Sequence, residues 1–354
     1  MKPFSFARGL CVSLLLMLLA VVSGGAWGGA YEATLPPDLH AAKDLCALVP
    51  CAEVFPGATS FSERKGQPPY VEAYAQDQGK KKLLGYVMLS TDITDTPAYS
   101  GKPVVTLIGM DTRGRYVGVK VLKHSEPILL LGIPEAALTN FNQQYIGKSV
   151  DQKIEVGHSR PDEGVVGVDA ISGATVTVIA QNQVMTTSGS AVARQVGIIK
   201  ATVRPQAQYA PNAPGADWAT LVKTGAVQRL VVQAEQVGLS RTGTPFIELW
   251  FGDLNHPDLG KALLGAGSWQ NLMAQLKPAE HALFIIRTQG EESFKGSGFV
   301  RGGIYDRVQV RQDMDTFTFR DTDYLNLYGI EAAGAPAFTE SAIFIIRSKA
   351  FSGA

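Results

Sequence analysis

The stretch that most constrains this chain lies past its middle. Residues 204–216 contain Pro205, Pro211, Pro214 and Gly215 and almost no apolar side chains. Proline fixes φ and removes a backbone donor, so this segment suits neither a helix nor a sheet interior and reads as a linker. The 354 residues allow about two domains at ~150 residues each. The expected division is an N-terminal segment 1–30, a first domain 31–203, the linker 204–216 and a second domain 217–354.

The N-terminal segment has the order of an export signal. Lys2 and Arg8 precede an apolar run from Leu10 to Val22, and small residues follow around Ala26 and Gly28-Gly29-Ala30. The run is short for a bilayer crossing of ~20 residues, although an uncleaved anchor extending through Gly25 is the alternative. The protein is therefore expected to be exported, either free in the periplasm or anchored to the inner membrane. Its 32 basic residues balance 32 acidic ones, and loss of Lys2 and Arg8 leaves 30 against 32, a net charge of −2. Such a chain is a poor binder of polyanions, and nucleic acid is excluded as a partner.

Cys11 lies within the signal, which leaves Cys46 and Cys51 in an oxidising compartment. Their spacing fits neither a CxxC redox pair nor a zinc knuckle. A structural disulfide, two buried thiols and a redox pair all remain open, with stabilisation of a helix end as the expected role. His40, His158, His256 and His281 form no pair at ligand spacing, so no metal site is expected.

Pro36 to Val49 has helical spacing and is closed by Pro50. Three apolar, β-rich runs follow, at Leu83 to Leu89, Val104 to Met110 and Tyr116 to Leu122, the last two flanking a hairpin loop at Asp111-Thr-Arg-Gly114. They predict an antiparallel sheet. Ile133 to Tyr145 and Ala174 to Val196 read as helices. Beyond the linker, Asp217 to Val222 and Leu263 to Leu276 read as helices. Arg229 to Gln233, Phe246 to Phe251, Ala282 to Arg287, Val308 to Val310 and Ile343 to Arg347 read as strands. Phe317 to Asp321 reads as a strand and turn. The fold class is α+β in both domains, without the alternation of a doubly wound sheet.

The densest chemical signal is Asp169-Ala-Ile-Ser172-Gly173-Ala174-Thr175 at the entrance to a helix. Ser172 is a suitable N-cap, Gly173 frees the backbone, Ala174 removes bulk and Thr175 offers a hydroxyl in the first turn. A helix N-terminus presents unpaired N–H groups and a partial positive charge, so a phosphate ester at Thr175 could be held by backbone alone. The plainer reading is a helix cap and nothing more.

Aspartate, two residues, Ser or Thr, then Gly-Ala-Thr resembles the site at which a flavin transferase attaches FMN through a phosphoester in the NqrC and RnfG subunits and the NosR/NirI family. The resemblance implies covalent FMN on Thr175, with Asp169, Ser172, Gly173 and Ala174 forming the attachment loop. Thr177 falls outside that pattern. His124-Ser-Glu126-Pro127 is similar to a His-x-Glu-Thr-Pro-Gly loop that NqrC-like relatives place beside the flavin. His124 and Glu126 are thus candidate contacts to the isoalloxazine or its phosphate, the alternative being a turn whose polar groups satisfy each other. Tyr99 to Pro103, His124 to Glu135 and Phe294 to Arg307 resemble the NosR/NirI family more specifically. The last segment lacks P-loop order and reads as a tight hairpin, with a docking surface as the alternative.

Membership would imply an NqrC/RnfG-like FMN-binding domain followed by a second α+β domain. It would also imply electron transfer to nitrous oxide reductase, or its maturation or expression, without an independent substrate reaction. Partners would be the flavin transferase, the reductase or its maturation machinery, and a membrane redox partner or a membrane and Fe–S half absent from this sequence. A redox sensor or assembly module, or an NqrC/RnfG-like subunit of a membrane redox complex, are the alternatives.

Overall fold

A computed structural model describes residues 30–31, 33–130, 132–200, 216–241, 243, 245–296, 304–312, 315–348 and 351–353. The expected signal up to residue 29, and the linker up to residue 215, lie outside the described residues.

The first domain is built on an antiparallel meander of five strands in sequential order: β1 (Ser60–Phe61), β2 (Val71–Asp77), β3 (Lys80–Leu89), β4 (Val105–Asp111) and β5 (Tyr116–Lys123). The unbroken apolar runs of β3 and β4 arise because both faces of the sheet are covered. Tyr86, Met88, Ile108 and Met110 point to one core. Val87, Leu89, Val105 and Leu107 point to the other. Alternation at period two is present, but each face meets its own apolar layer.

The second of these layers comes from the segment before β1. Cys46 and Cys51 are joined in a disulfide, which leads into the one-turn helix α1 (Cys51–Val54). The helix expected over 36–49 is not formed; only turns and a short 3-10 turn at Leu45–Ala47 occur there. The Arg64 guanidinium explains this, because its Nη1 donates to the carbonyls of Leu39 and Ala42 at 2.7 Å each. Those oxygens are the acceptors that an α-helix would need one turn later. The Val54 carbonyl in turn lies directly on the sheet, where Gly109 and Gly118 pair across β4 and β5. A Cβ on Gly109 or Gly118 would stand 2.1 or 2.2 Å from that oxygen.

The first layer is supplied by α2 (Ala136–Gln143), a parallel pair β6 (Lys153–Val156) and β7 (Val165–Val168), and the 21-residue helix α3 (Thr175–Gln195). Val178, Met185 and Val192 of α3 pack on the sheet. At Gly189 the Tyr116 hydroxyl fills the space a side chain would need, 2.3 Å from a Cβ position. That hydroxyl donates to the Met185 carbonyl at 2.8 Å.

The second domain contains α4 (Trp218–Lys223), β8 (Gln228–Gln233), β9 (Pro245–Asp253), α5 (Pro257–Leu264), α6 (Ala266–Gln275), β10 (His281–Gly290), β11 (Ile304–Gln312), β12 (Asp315–Arg320), β13 (Tyr324–Leu325) and β14 (Glu340–Ile346). Five strands form one antiparallel sheet in the order β13-β14-β10-β9-β8. Phe284, Ile286, Ile343 and Ile345 face the helices. The alternate residues Ile285, Phe344 and Ile346 face the β11–β12 hairpin. The single helix expected over 263–276 is two helices, broken at Gly265, whose φ of +74° suits glycine. Most of the hairpin expected over 294–307 lies outside the described residues, at 297–303; the strand that follows, β11, pairs with β12.

This hairpin also joins the domains. Phe317 and Phe319 of β12 enter the core of their own domain. The intervening Thr318 donates to Oε1 of Gln183 on α3 at 2.6 Å. Arg320 reaches Asp95 at 2.7 Å, Asp315 pairs with Arg194 at 2.9 Å, and Arg311 pairs with Glu155. Burial alone would raise the Glu155 carboxyl, but Arg160, Arg311 and Lys153 together hold it below the ordinary carboxylate range. A Gly118→Ala substitution is expected to destabilise the first domain by about 3 kcal/mol, because the obstacle is backbone. The check is urea unfolding, with the midpoint lowered and the slope unchanged.

Candidate functional site

β7 delivers the chain to the loop 169–175. The Gln144 side chain, just after α2, holds the loop's first residue by both of its backbone groups. Asp169 N–H donates to Gln144 Oε1 at 2.7 Å, and Gln144 Nε2 donates to the Asp169 carbonyl at 3.1 Å. The chain then turns through Gly173, at φ +79°, and the turn closes with Ala174 N–H donating to the Ile171 carbonyl at 3.0 Å. Gly173 occupies the third turn position, where a positive φ is required.

Helix α3 begins one residue later. Its N-cap is Ala174, not Ser172 as expected, and no side chain accepts from the first-turn N–H groups. The turn at Gly173 spends the two residues that would have brought Ser172 into capping position, so the serine lies exposed on the loop. Ala174 is buried, Thr175 is exposed, and the next three residues are buried again. The threonine hydroxyl therefore stands at an uncapped helix N-terminus with no acidic residue in the first turn. The orphan N–H groups and the helix dipole both favour an anion there. These residues fit a phosphate ester on Thr175 better than the serine-capped helix first envisaged, since no side chain competes for the same donors. Asp169, Ser172, Gly173 and Ala174 all lie in this loop.

His124 and Glu126 follow β5 and are 1% and 0% exposed. The Glu126 carboxylate accepts from the backbone N–H of Tyr99 at 3.1 Å, from that of Ser100 at 3.0 Å, and from the Thr177 hydroxyl. It thereby ties the 99–100 loop to the first turn of α3. His124 Nδ1 accepts from the Glu126 N–H at 3.2 Å, which leaves its Nε2 as the ring donor, 3.4 Å from Glu135 Oε1. The His124 N–H donates to the Ala30 carbonyl at 3.2 Å, and the Tyr31 ring lies 5.7 Å from the imidazole. The start of the described chain thus packs beside this group.

Thr177, set aside in the sequence, is consequently part of the site as the partner of Glu126. The pattern gave one usable signal: Thr175 and Thr177 stand two apart on a helix, so they occupy different faces. Behind them a buried amide network fixes the helix, with Gln181 Nε2 donating to Asn142 Oδ1 at 2.9 Å and Thr106 Oγ1 at 3.1 Å. Replacing Glu126 with Ala strands the buried Thr177 hydroxyl and two partly buried amides and is expected to cost about 3 kcal/mol. Thr177→Val removes one of the three and is expected to cost about 1–2 kcal/mol. Parallel denaturant titrations of the two variants check the ranking.

A family model described as "FMN-binding domain" matches residues 99–187. That span opens at the two amides bound by Glu126 and includes the whole loop 169–175. The "Regulatory protein NosR" of Pseudomonas aeruginosa is 40% identical over 316 residues, 84% of this chain and 43% of its own length. The protein of the same name from Stutzerimonas stutzeri is 41% identical over 318 residues, 83% of this chain and 42% of its own. The "Protein NirI" of Paracoccus denitrificans is 26% identical over 272 residues, 74% and 38% respectively. The chain spans about two fifths of the length of these curated relatives. It has an α+β FMN-binding domain and belongs to the NosR/NirI family.

Proposed function

We propose that this chain is an extracytoplasmic flavoprotein module carrying FMN covalently on Thr175 through a phosphoester. Its role is electron transfer to nitrous oxide reductase, or the maturation or expression of that enzyme. The observation that carries the proposal is an exposed Thr175 at the uncapped start of α3, inside an FMN-binding domain. The family relationship and the export-like N-terminus support the rest.

FMN supplies redox chemistry when bound. The chain's own residues supply attachment and orientation. Gly173 and Ala174 keep the approach to the Thr175 hydroxyl uncrowded for a flavin transferase, and the first N–H groups of α3 offer charge-assisted hydrogen bonds to a phosphodiester. Glu126, through Thr177 and the amides of Tyr99 and Ser100, fixes the first turn of α3 against the loop preceding β4. His124 orients Glu126 through its backbone N–H. Any electron step across a membrane is assigned to a redox partner, and no helix among the described residues is long and apolar enough to cross one.

A reading as a subunit like NqrC or RnfG is disfavoured because the NosR alignments, at 316 and 318 residues, extend far beyond residues 99–187. A redox sensor or assembly module is the second reading, favoured by the hairpin that ties the second domain to α3.

The chain co-produced with a flavin transferase should yield FMN in acid-precipitated protein, and mass spectrometry should locate it on the peptide containing Thr175. Thr175→Ala should abolish it, while Thr177→Ser should retain it. An unmodified wild-type peptide, or an undiminished adduct in Thr175→Ala, would sink the proposal. If the sensor reading holds, binding to the reductase should differ between oxidised and reduced protein; equal binding leaves electron transfer as the function.

A further inference from the structure

Beneath the first two turns of α3 lies a small apolar cluster: Ala98, Val104, Leu129, Leu138, Val176 and Ala180, all from the first domain, together with Ile304 from the second. Ile304 is 1% exposed and is the first residue of β11. It is the sole member from beyond the linker among the described buried residues of that cluster. Val176 adjoins Thr175 in the chain, so the second domain reaches the layer directly under the attachment residue.

A strand irregularity accompanies this arrangement. Between the pairs Ile304↔Arg320 and Gln309↔Thr318, β11 advances five residues while β12 advances two. Such bulges re-aim side chains. Here Tyr305 and Val308 join the second domain's own core, while Ile304 is given to the first domain. Further along α3, Gln183 is held by Thr318 and by the Thr316 carbonyl, and Arg194 is held by Asp315. The hairpin therefore contacts α3 near its start, at its middle and near its end. An interface between domains that was small and purely polar would leave them free to move. Three contacts along one helix, one of them a buried isoleucine, make α3 common to both domains.

We infer that the second domain completes the flavin site: Ile304 is a positioning residue that acts through Val176 and Ala180 to set how the Thr175 end of α3 is held. The inference rests on the reading of Thr175 as the site of FMN attachment. Its consequence is that the environment of the flavin depends on a residue more than a hundred positions away in sequence and in the other domain.

The test uses the full chain co-produced with a flavin transferase, in wild-type, Ile304→Ala, Ile304→Val and Tyr328→Ala forms. Tyr328 is a second-domain control, 89% exposed. Three quantities are read below the melting transition: FMN on the Thr175 peptide, iodide quenching of the bound FMN fluorescence, and the flavin midpoint potential. Ile304→Ala should lower loading or raise the quenching constant several-fold, with a displaced potential. Ile304→Val should restore wild-type values, and Tyr328→Ala should never depart from them. A merely structural isoleucine would lower the melting temperature and leave quenching and potential unchanged in the folded protein.

If Ile304→Ala does not fold, Thr318→Val, which breaks the partly buried contact to Gln183, is read in the same way and should shift quenching in the same direction. Wild-type protein without FMN overturns this inference together with the reading it rests on. Wild-type protein with FMN, and Ile304→Ala or its substitute Thr318→Val indistinguishable from it in all three measurements, overturns the coupling alone.

Discussion

Helix α3 is enclosed on most of its circumference, and the rest of the molecule is arranged around meeting that condition. Twelve of its 21 residues are buried, including Thr177, Gln181 and Ser190, whose side chains are hydrogen-bonded, and Ser188, whose hydroxyl has no partner among the described residues. Burying polar side chains such as the first three costs stability unless their hydrogen bonds are supplied. Glu126 meets Thr177, Asn142 and Thr106 meet Gln181, and Tyr116 takes the carbonyl of Met185. Each partner comes from a different element, so the loop after β5, helix α2, strand β4 and strand β5 all have their positions fixed by one helix. The apolar side of the arrangement is comparatively ordinary: Val178, Met185 and Val192 cover a sheet face.

Much of this was legible in the sequence because it rests on local pattern. The runs that became β3, β4 and β5 announce themselves by continuous apolar character, and the end of α3 near Val196 follows from its spacing. β2 was missed. Its alternation is weak, and its turn to β3 uses Gln78 and Gly79, both with positive φ, where glutamine gives no turn signal. The helix expected over 36–49 failed because Arg64, distant in sequence, takes its carbonyls. The loop 169–175 stood out by its motif, but its cap was misassigned: a Ser just before a helix start looks like an N-cap until the turn at Gly173 is seen. The three donors on Glu126 come from residues 99, 100 and 177, and nothing in the local sequence could have gathered them.

β12 shows where a correct strand reading stops being informative. Phe317-Thr-Phe319-Arg has the alternation of a strand with one face in a core and one in water. The expected strand is formed, and its polar face meets α3 and Asp95 of the other domain rather than water. Polarity identifies the face that does not enter the strand's own core. It does not say whether that face meets solvent or another protein surface, a distinction carried only by the complementary Gln183, Arg194 and Asp95.

The facing glycines 109 and 118 bear on strand registration. Two glycines opposite each other weaken a sheet, by roughly 1 kcal/mol each relative to alanine. Here they form a slot that admits the Val54 carbonyl. Their neighbours on β4 are Ile108 and Met110, so a one-residue slip of β4 would bring a large side chain into the slot and leave α1 without a seat. The seat of a four-residue helix thus exists only in the observed register of the central strands. The disulfide-linked segment is thereby seated on two strands, β4 and β5, that begin 51 and 62 residues after Val54, and its fit is to their correct pairing alone.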